Sequence, residues 1–95
     1  MFEWDARKAA TNADKREVTF EAAVTVFGDP NALDGLDARH SEGEPRFRRV
    51  GRAATGRVLV VSYTLRRLGD AENIRIISAR QANRKERTEY FAAQD

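Results

Sequence analysis

Residues 57–65, Arg-Val-Leu-Val-Val-Ser-Tyr-Thr-Leu, form a near-continuous β-branched and aromatic run. Side chains of this kind fit a pleated, half-buried surface, so the run is expected as the central strand of a sheet. Thr55–Gly56 in front of it reads as a hairpin turn, which makes Arg46 to Ala54 the preceding strand. Leu68 to Glu72 reads as a turn into a last strand, Asn73 to Ser78. Ala32 to Asp37, interrupted by Gly35, is a further short strand.

The ends of the chain carry helical signals. Phe2–Glu3–Trp4 is expected as a short strand that stops at Asp5, an N-cap for a helix from Ala6 to about Arg16. Thr19 caps a second helix, in which Phe20, Ala23, Val24 and Phe27 share one apolar face, and Gly28–Asp29–Pro30–Asn31 ends it. Ser78-x-x-Gln81 has the form of a capping box, which predicts a final helix through about Ala93. The fold class that follows is α+β within one domain, residues 1–95. Its order is a short N-terminal strand, two helices, an antiparallel meander of three or four strands and a C-terminal helix.

Composition removes several kinds of chemistry. The absence of cysteine excludes disulfides, thiolate zinc sites and thiol nucleophiles. One histidine does not make a zinc site, and neither a serine elbow nor a glycine-rich phosphate loop is present, so no metal and no cofactor are expected. No apolar run approaches the roughly 20 residues that cross a bilayer, and the acidic Met1–Phe2–Glu3–Trp4–Asp5 opening is not that of a signal peptide. A cytoplasmic protein without membrane attachment is the expectation.

Charge is distributed unevenly. Residues 1–38 carry four bases against eight acids, whereas residues 39–87 carry thirteen bases against five acids. Arginine outnumbers lysine 14 to 3, and its planar fork suits phosphate oxygens. A clustered basic surface of this kind is the usual footprint of nucleic-acid contact.

Specific residues sharpen that expectation. Lys8, Asn12 and Lys15 follow i, i+4 and i+7 on the first helix, either as a phosphate- and sugar-binding stripe or as a solvated face. Arg80, Arg84 and Arg87 repeat the spacing at the start of the expected last helix, a like-charge stripe suited to an anionic partner. Arg46, Arg48 and Arg52 alternate along one strand face, and Arg75 interrupts the apolar Ile74–Arg75–Ile76–Ile77. His40 is the acid–base candidate, because imidazole alone titrates near neutrality without help; Glu42 and Glu44 could act as a base or orient it. On its own the segment Arg39–Arg52 reads more readily as an exposed hairpin. Metal-free RNA cleavage, in which a 2′-hydroxyl attacks its own phosphate, needs no more than positioning, proton transfer and cations.

Ordered blocks along the chain resemble the BrnT family of toxins. They are Phe2–Glu3–Trp4–Asp5 with Lys8, Asn12 and Lys15; Val18-x-Phe20–Glu21–Ala22 and Val26–Phe27; Arg39–His40–Ser41–Glu42–Gly43–Glu44-x-Arg46–Phe47; Val50–Gly51; Arg75–Ile76–Ile77–Ser78–Ala79–Arg80; and Arg84-x-x-Arg87 with Tyr90. The resemblance implies a small ribonuclease of RelE-like fold, the toxin of a type II toxin–antitoxin pair. It also implies a BrnA-like ribbon–helix–helix antitoxin, with operator DNA bound only through the joint complex. One departure stands out: the family commonly has His-Gly after the lysine matched by Lys15, where this chain has Arg16–Glu17.

Carried onto these positions, the expected catalytic set is His40 as acid–base, Glu42 as its orienter, and Arg46, Arg75 and Arg80 as cations facing the reacting phosphate. Lys8, Asn12, Lys15, Arg16, Arg48, Arg84 and Arg87 are the expected RNA contacts, the last two also suiting an antitoxin. The Arg16–Glu17 departure motivates an alternative: a catalytically silent, antitoxin-binding co-repressor subunit with general nucleic-acid affinity.

Overall fold

A computed structural model describes residues 1–41 and 43–94. Its elements are β1 (Phe2–Glu3), α1 (Ala6–Arg16), α2 (Phe20–Thr25), β2 (Leu33–Leu36), β3 (Arg46–Arg52), β4 (Val58–Leu68), β5 (Ala71–Gln81) and α3 (Arg84–Ala92). The fold is α+β as expected, and β4 lies at the middle of the sheet, between β5 and β3.

The sheet itself is larger than the expected meander. Five strands run in the order β1-β5-β4-β3-β2, and β1 joins β5 in parallel through Phe2↔Ile74 and Glu3↔Arg75. The remaining pairs are antiparallel, so the sheet is mixed. The α1–α2 unit occupies the crossover between β1 and the rest, and a crossover is what a parallel neighbour requires.

Both early helices start where the sequence predicts. The Asp5 carboxylate accepts from the backbone N–H groups of Arg7 and Lys8, and Thr19 Oγ1 accepts from that of Ala22. α1 ends on Glu17, whose φ of 56° is left-handed while its N–H bonds Ala13 O. A side chain at this position strains to adopt that conformation, which glycine takes without cost.

The C-terminal expectation needs correcting. β5 continues through Gln81 because Ser78, Ala79, Arg80 and Gln81 pair with Ser62, Val61, Val60 and Leu59 of β4. The capping box forms five residues later. Asn83 accepts from Glu86 N at 2.8 Å and the Glu86 carboxylate accepts from Asn83 N at 2.8 Å. Arg80 is therefore a strand residue, and the Arg80–Arg84–Arg87 helical stripe does not exist.

A bulge breaks the β4–β5 ladder. Ser62 pairs with Ser78 and Tyr63 with Ile76, leaving Ile77 without a partner. The extra residue switches the alternation of β5, so Ser78 and Arg80 share a face with Arg75 instead of lying opposite it. On the other face Phe20, Ala23, Val26, Leu59, Val61, Ile76 and Ala79 form the main core under α1 and α2. A smaller cluster of Val50, Val58, Val60, Ala82 and Tyr90 seats α3 on the bulge-switched face. The rest of that face stays open. No helix among the described residues is long and apolar enough to cross a membrane.

Candidate active site

A cleft of about 560 Å³ lies on the open face beside α3. Its floor is sheet: Arg46 and Arg48 from β3, Val60 and Ser62 from β4, and Ser78, Ala79 and Arg80 from β5. Register explains the grouping, because Arg48 pairs with Ser62 and Ser62 with Ser78 across three strands. The rim is formed by Asp37, Arg39 and His40, and by Arg16 from the end of α1.

The rim loop is anchored to the sheet. Asp37 N donates to Arg46 O at 2.7 Å, extending the β2–β3 ladder by one step. Ser41 Oγ donates to Asp37 O and accepts from Arg46 N at 3.0 Å, tying the loop's two ends together. Between them a single helical turn, Ala38–His40, brings the imidazole back over Asp37.

His40 Nδ1 lies 3.0 Å from Asp37 Oδ2. A carboxylate partner makes Nδ1 the proton-bearing nitrogen of the neutral ring, which leaves Nε2 as the basic one. Partial desolvation of Asp37 opposes its ionisation. The His40 hydrogen bond and the positive charge around it outweigh that, and hold the carboxyl below its ordinary value. The imidazole is 64% exposed and the Asp37 side chain 15%, so the pair is open toward a ligand and closed behind. Glu42, the expected orienter, lies outside the described residues; Asp37 orients His40 in the structure.

Glu86 organises the opposite wall. Its side chain, only 9% exposed, accepts from Arg80 Nη1 and Nη2 at 2.7 and 2.8 Å and also from Arg48 Nη2. The Arg80 hydrogen bonds are the main reason that its carboxyl is held down at about 2, and Asn83 N–H and Arg48 add to them. Two guanidiniums are thus fixed over the cleft by one buried anion, as second partners of a binding group commonly do.

The expected residues divide into three sets. His40, Arg46, Arg48, Arg80 and Arg16 meet at the cleft. Lys8, Asn12 and Lys15 line an adjoining groove of about 330 Å³ that shares Arg16 and Ser78 with the cleft. Arg75, Arg84 and Arg87 line neither. Arg75 shares the open face, but its Nη1 pairs with Glu3 Oε2 at 2.9 Å, so the catalytic position expected for it is not the one it occupies. Arg87 Nη1 donates to Ala82 O at 2.7 Å beside the start of α3, and Arg84 is exposed on that helix.

Asn12 also departs from expectation. It is buried, its Nδ2 donates to Val18 O and Ala79 O at 2.8 Å each, and its Oδ1 accepts from Ala79 N at 3.1 Å. Beyond the two-residue β1 the edge of β5 has no strand partner among the described residues, and Asn12 supplies the missing donor and acceptor. An amide committed in this way acts as a structural clamp, although Asn12 also lines the groove beside Lys8 and Lys15.

Sequence reasoning missed Asp37, Arg39, Ser62, Ser78 and Glu86. The Asp37-x-x-His40 spacing on a helical turn and the Asn83-x-x-Glu86 capping box were readable signals for two of these. Only the register reveals the serines. Among the described residues, no group of three or more His, Cys, Asp or Glu side chains is placed to hold a metal ion.

Comparison with known proteins adds a family and a fold. Residues 4–86 match the family described as the ribonuclease toxin, BrnT, of type II toxin–antitoxin systems. Among solved structures, that of the Brucella abortus ribonuclease toxin, BrnT, aligns with a TM-score of 0.63 at 20% identity, covering 88% of this chain and 99% of that one. At that identity the likeness concerns the fold. No curated protein matches the chain.

Proposed function

This chain belongs to the BrnT family of ribonuclease toxins of type II toxin–antitoxin systems, and from that premise we propose that it cuts RNA in the Asp37–His40 cleft without a resident metal. The observation that carries the reading is the placement of the Asp37-backed imidazole on the rim of a floor made by Arg46, Arg48, Arg80, Ser62 and Ser78. One proton acceptor facing several fixed cations suits an in-line displacement at a phosphodiester.

In this reading His40 Nε2 takes the proton of a 2′-hydroxyl while Asp37 stabilises the imidazolium. The 2′-oxygen forms a bond to the adjacent phosphorus and the bond from phosphorus to the 5′-oxygen breaks. The products are a 2′,3′-cyclic phosphate and a 5′-hydroxyl, whose oxygen takes its proton from water. Arg46, Arg48 and Arg80 offset the charge that grows on the phosphate oxygens, and the two serine hydroxyls donate to them. Lys8, Lys15 and Arg16 hold flanking phosphates along the adjoining groove.

A type II toxin acts beside an antitoxin, and we propose a BrnA-like ribbon–helix–helix protein in that role, contacting operator DNA for the pair. Exposed Arg84 and Arg87 on α3 are the proposed antitoxin contacts. Helices preceding the antiparallel β2–β5 meander support a RelE-like reading of the fold, and the cytoplasm is the proposed place of action.

Arg16 favours a second reading. It stands where the family commonly has histidine, and its side chain lines the cleft, so a permanent cation replaces a group able to transfer protons. On that reading the protein binds RNA and antitoxin without cutting.

Product analysis in EDTA tests the proposal. The enzyme reading predicts fragments ending in 2′,3′-cyclic phosphate and 5′-hydroxyl, with no cutting where the 2′-hydroxyl is replaced by hydrogen. Intact RNA bound at low salt supports the silent subunit instead.

A further inference from the structure

The open face carries a second basic cluster outside the cleft. Arg46 pairs with Thr64 and Thr64 with Arg75 across β3, β4 and β5, which places all three side chains on this face in one row. Glu3, beside Arg75 on β1, gathers the neighbours. Its carboxylate receives Arg75 Nη1 at 2.9 Å and Asn73 Nδ2 at 3.5 Å, with Arg66 Nη1 3.9 Å away.

Two polar atoms in this row, Arg46 Nε and Thr64 Oγ1, have no hydrogen-bond partner among the described residues. Thr64 is only 5% exposed. A buried hydroxyl and a guanidinium N–H left unpaired side by side each lose the hydrogen bond that water would give them, and call for an explanation. Both are donors, they are adjacent in register, and a third donor, Arg75, completes the row. Two donors without a partner, beside a third held only by Glu3 among the described residues, point to an anionic oxygen.

We propose that the Arg46–Thr64–Arg75 row is a second phosphate subsite, which takes the phosphate next to the one cut. The proposal rests on the RNA reading above. The row lies two residues along the strands from Arg48–Ser62–Ser78, about 7 Å at the usual strand rise and roughly one nucleotide step of an extended chain. Arg46 belongs to both rows and joins them. Glu3 then acts as a resident competitor, holding Arg75 until a phosphate displaces it. The ligand class is single-stranded RNA with at least two consecutive phosphates, bound across the strands rather than in a closed pocket.

The test uses fully 2′-O-methylated, uncleavable RNA of two and six nucleotides, titrated against the intact protein over a range of salt. The wild type should bind the hexamer more tightly. Arg75→Gln should weaken hexamer binding about tenfold more than dimer binding, and lower the salt slope for the hexamer by about 0.7, the loss of one phosphate contact on a single strand. Thr64→Val should act in the same direction, and Thr64→Ser should restore binding. Glu3→Gln should tighten the hexamer severalfold, an effect of opposite sign that damage to the fold would not produce. Equal losses on both lengths, or a Glu3→Gln variant that binds no better, overturn the subsite. Length-dependent binding with these signatures but no cleavage of unmodified RNA leaves the subsite standing and removes the nuclease reading. Cleavage with no dependence on Arg75 does the reverse.

Discussion

Glu86 and Arg80 form a two-pronged ion pair, with Nη1 2.7 Å from Oε1 and Nη2 2.8 Å from Oε2. The same carboxylate caps α3 and receives Arg48. A helix start, a strand and one wall of the cleft therefore depend on a single buried anion.

Its titration gives the first prediction. The folded-state carboxyl is held down at about 2 against an ordinary 4.5. Stability from the depressed group is complete above the ordinary value and disappears as pH falls from there toward 2. Glu86→Gln keeps an acceptor for the capping box but removes the charge. Urea unfolding should show the variant less stable by on the order of 2 kcal/mol at pH 7, with the two curves converging toward pH 2. A constant difference across that range would contradict the assignment.

Asn12 is predicted to matter for the fold alone. Asn12→Ala strips the partners from Ala79 N–H, Ala79 C=O and Val18 C=O, and should destabilise by about 2–4 kcal/mol, read as a lowered midpoint of thermal unfolding. RNA affinity of the remaining folded protein should stay near wild type. A loss of affinity with unchanged stability would return Asn12 to the interface.

Glu17 carries the strain of a left-handed residue at the end of α1. Glu17→Gly relieves it and should stabilise by about 0.5–1 kcal/mol, net of the flexibility that glycine adds to the unfolded chain. Chemical denaturation measures this directly, and a destabilised variant would show that the Glu17 side chain contributes more than the strain removes.

Asp37→Asn retains the size of the orienting group but not its charge. Single-turnover cleavage should slow by about 10–100-fold while melting shifts little, because the His40–Asp37 pair is largely exposed on one side and exposed pairs stabilise weakly. Unchanged cleavage would remove Asp37 from the site.

How far the sequence could be read depended on the range of the forces involved. Local signals were reliable: Asp5 and Thr19 cap as expected, and the Val58–Leu65 run sits at the sheet's middle. Ser78-x-x-Gln81 and Asn83-x-x-Glu86 are competing capping boxes five residues apart, and pairing of Ser78–Gln81 with β4 decides between them. No local rule contains that information. The same applies to the bulge at Ile77, which turns Ser78 and Arg80 toward Arg48, and to the partner that Arg75 finds in Glu3. His40, Arg46 and Arg80 were legible as residue types suited to phosphate chemistry. The Asp37-x-x-His40 and Asn83-x-x-Glu86 spacings were readable too, but which arginines Glu86 holds in place emerges only once the chain is folded.

Single-turnover cleavage of RNA in EDTA by wild type and His40→Ala, with circular dichroism to verify folding, tests the central claim most directly. Cutting by the wild type, reduced at least about 100-fold in a folded His40→Ala protein, is the predicted result. Equal rates for the two proteins, or no cutting by the wild type, would contradict it.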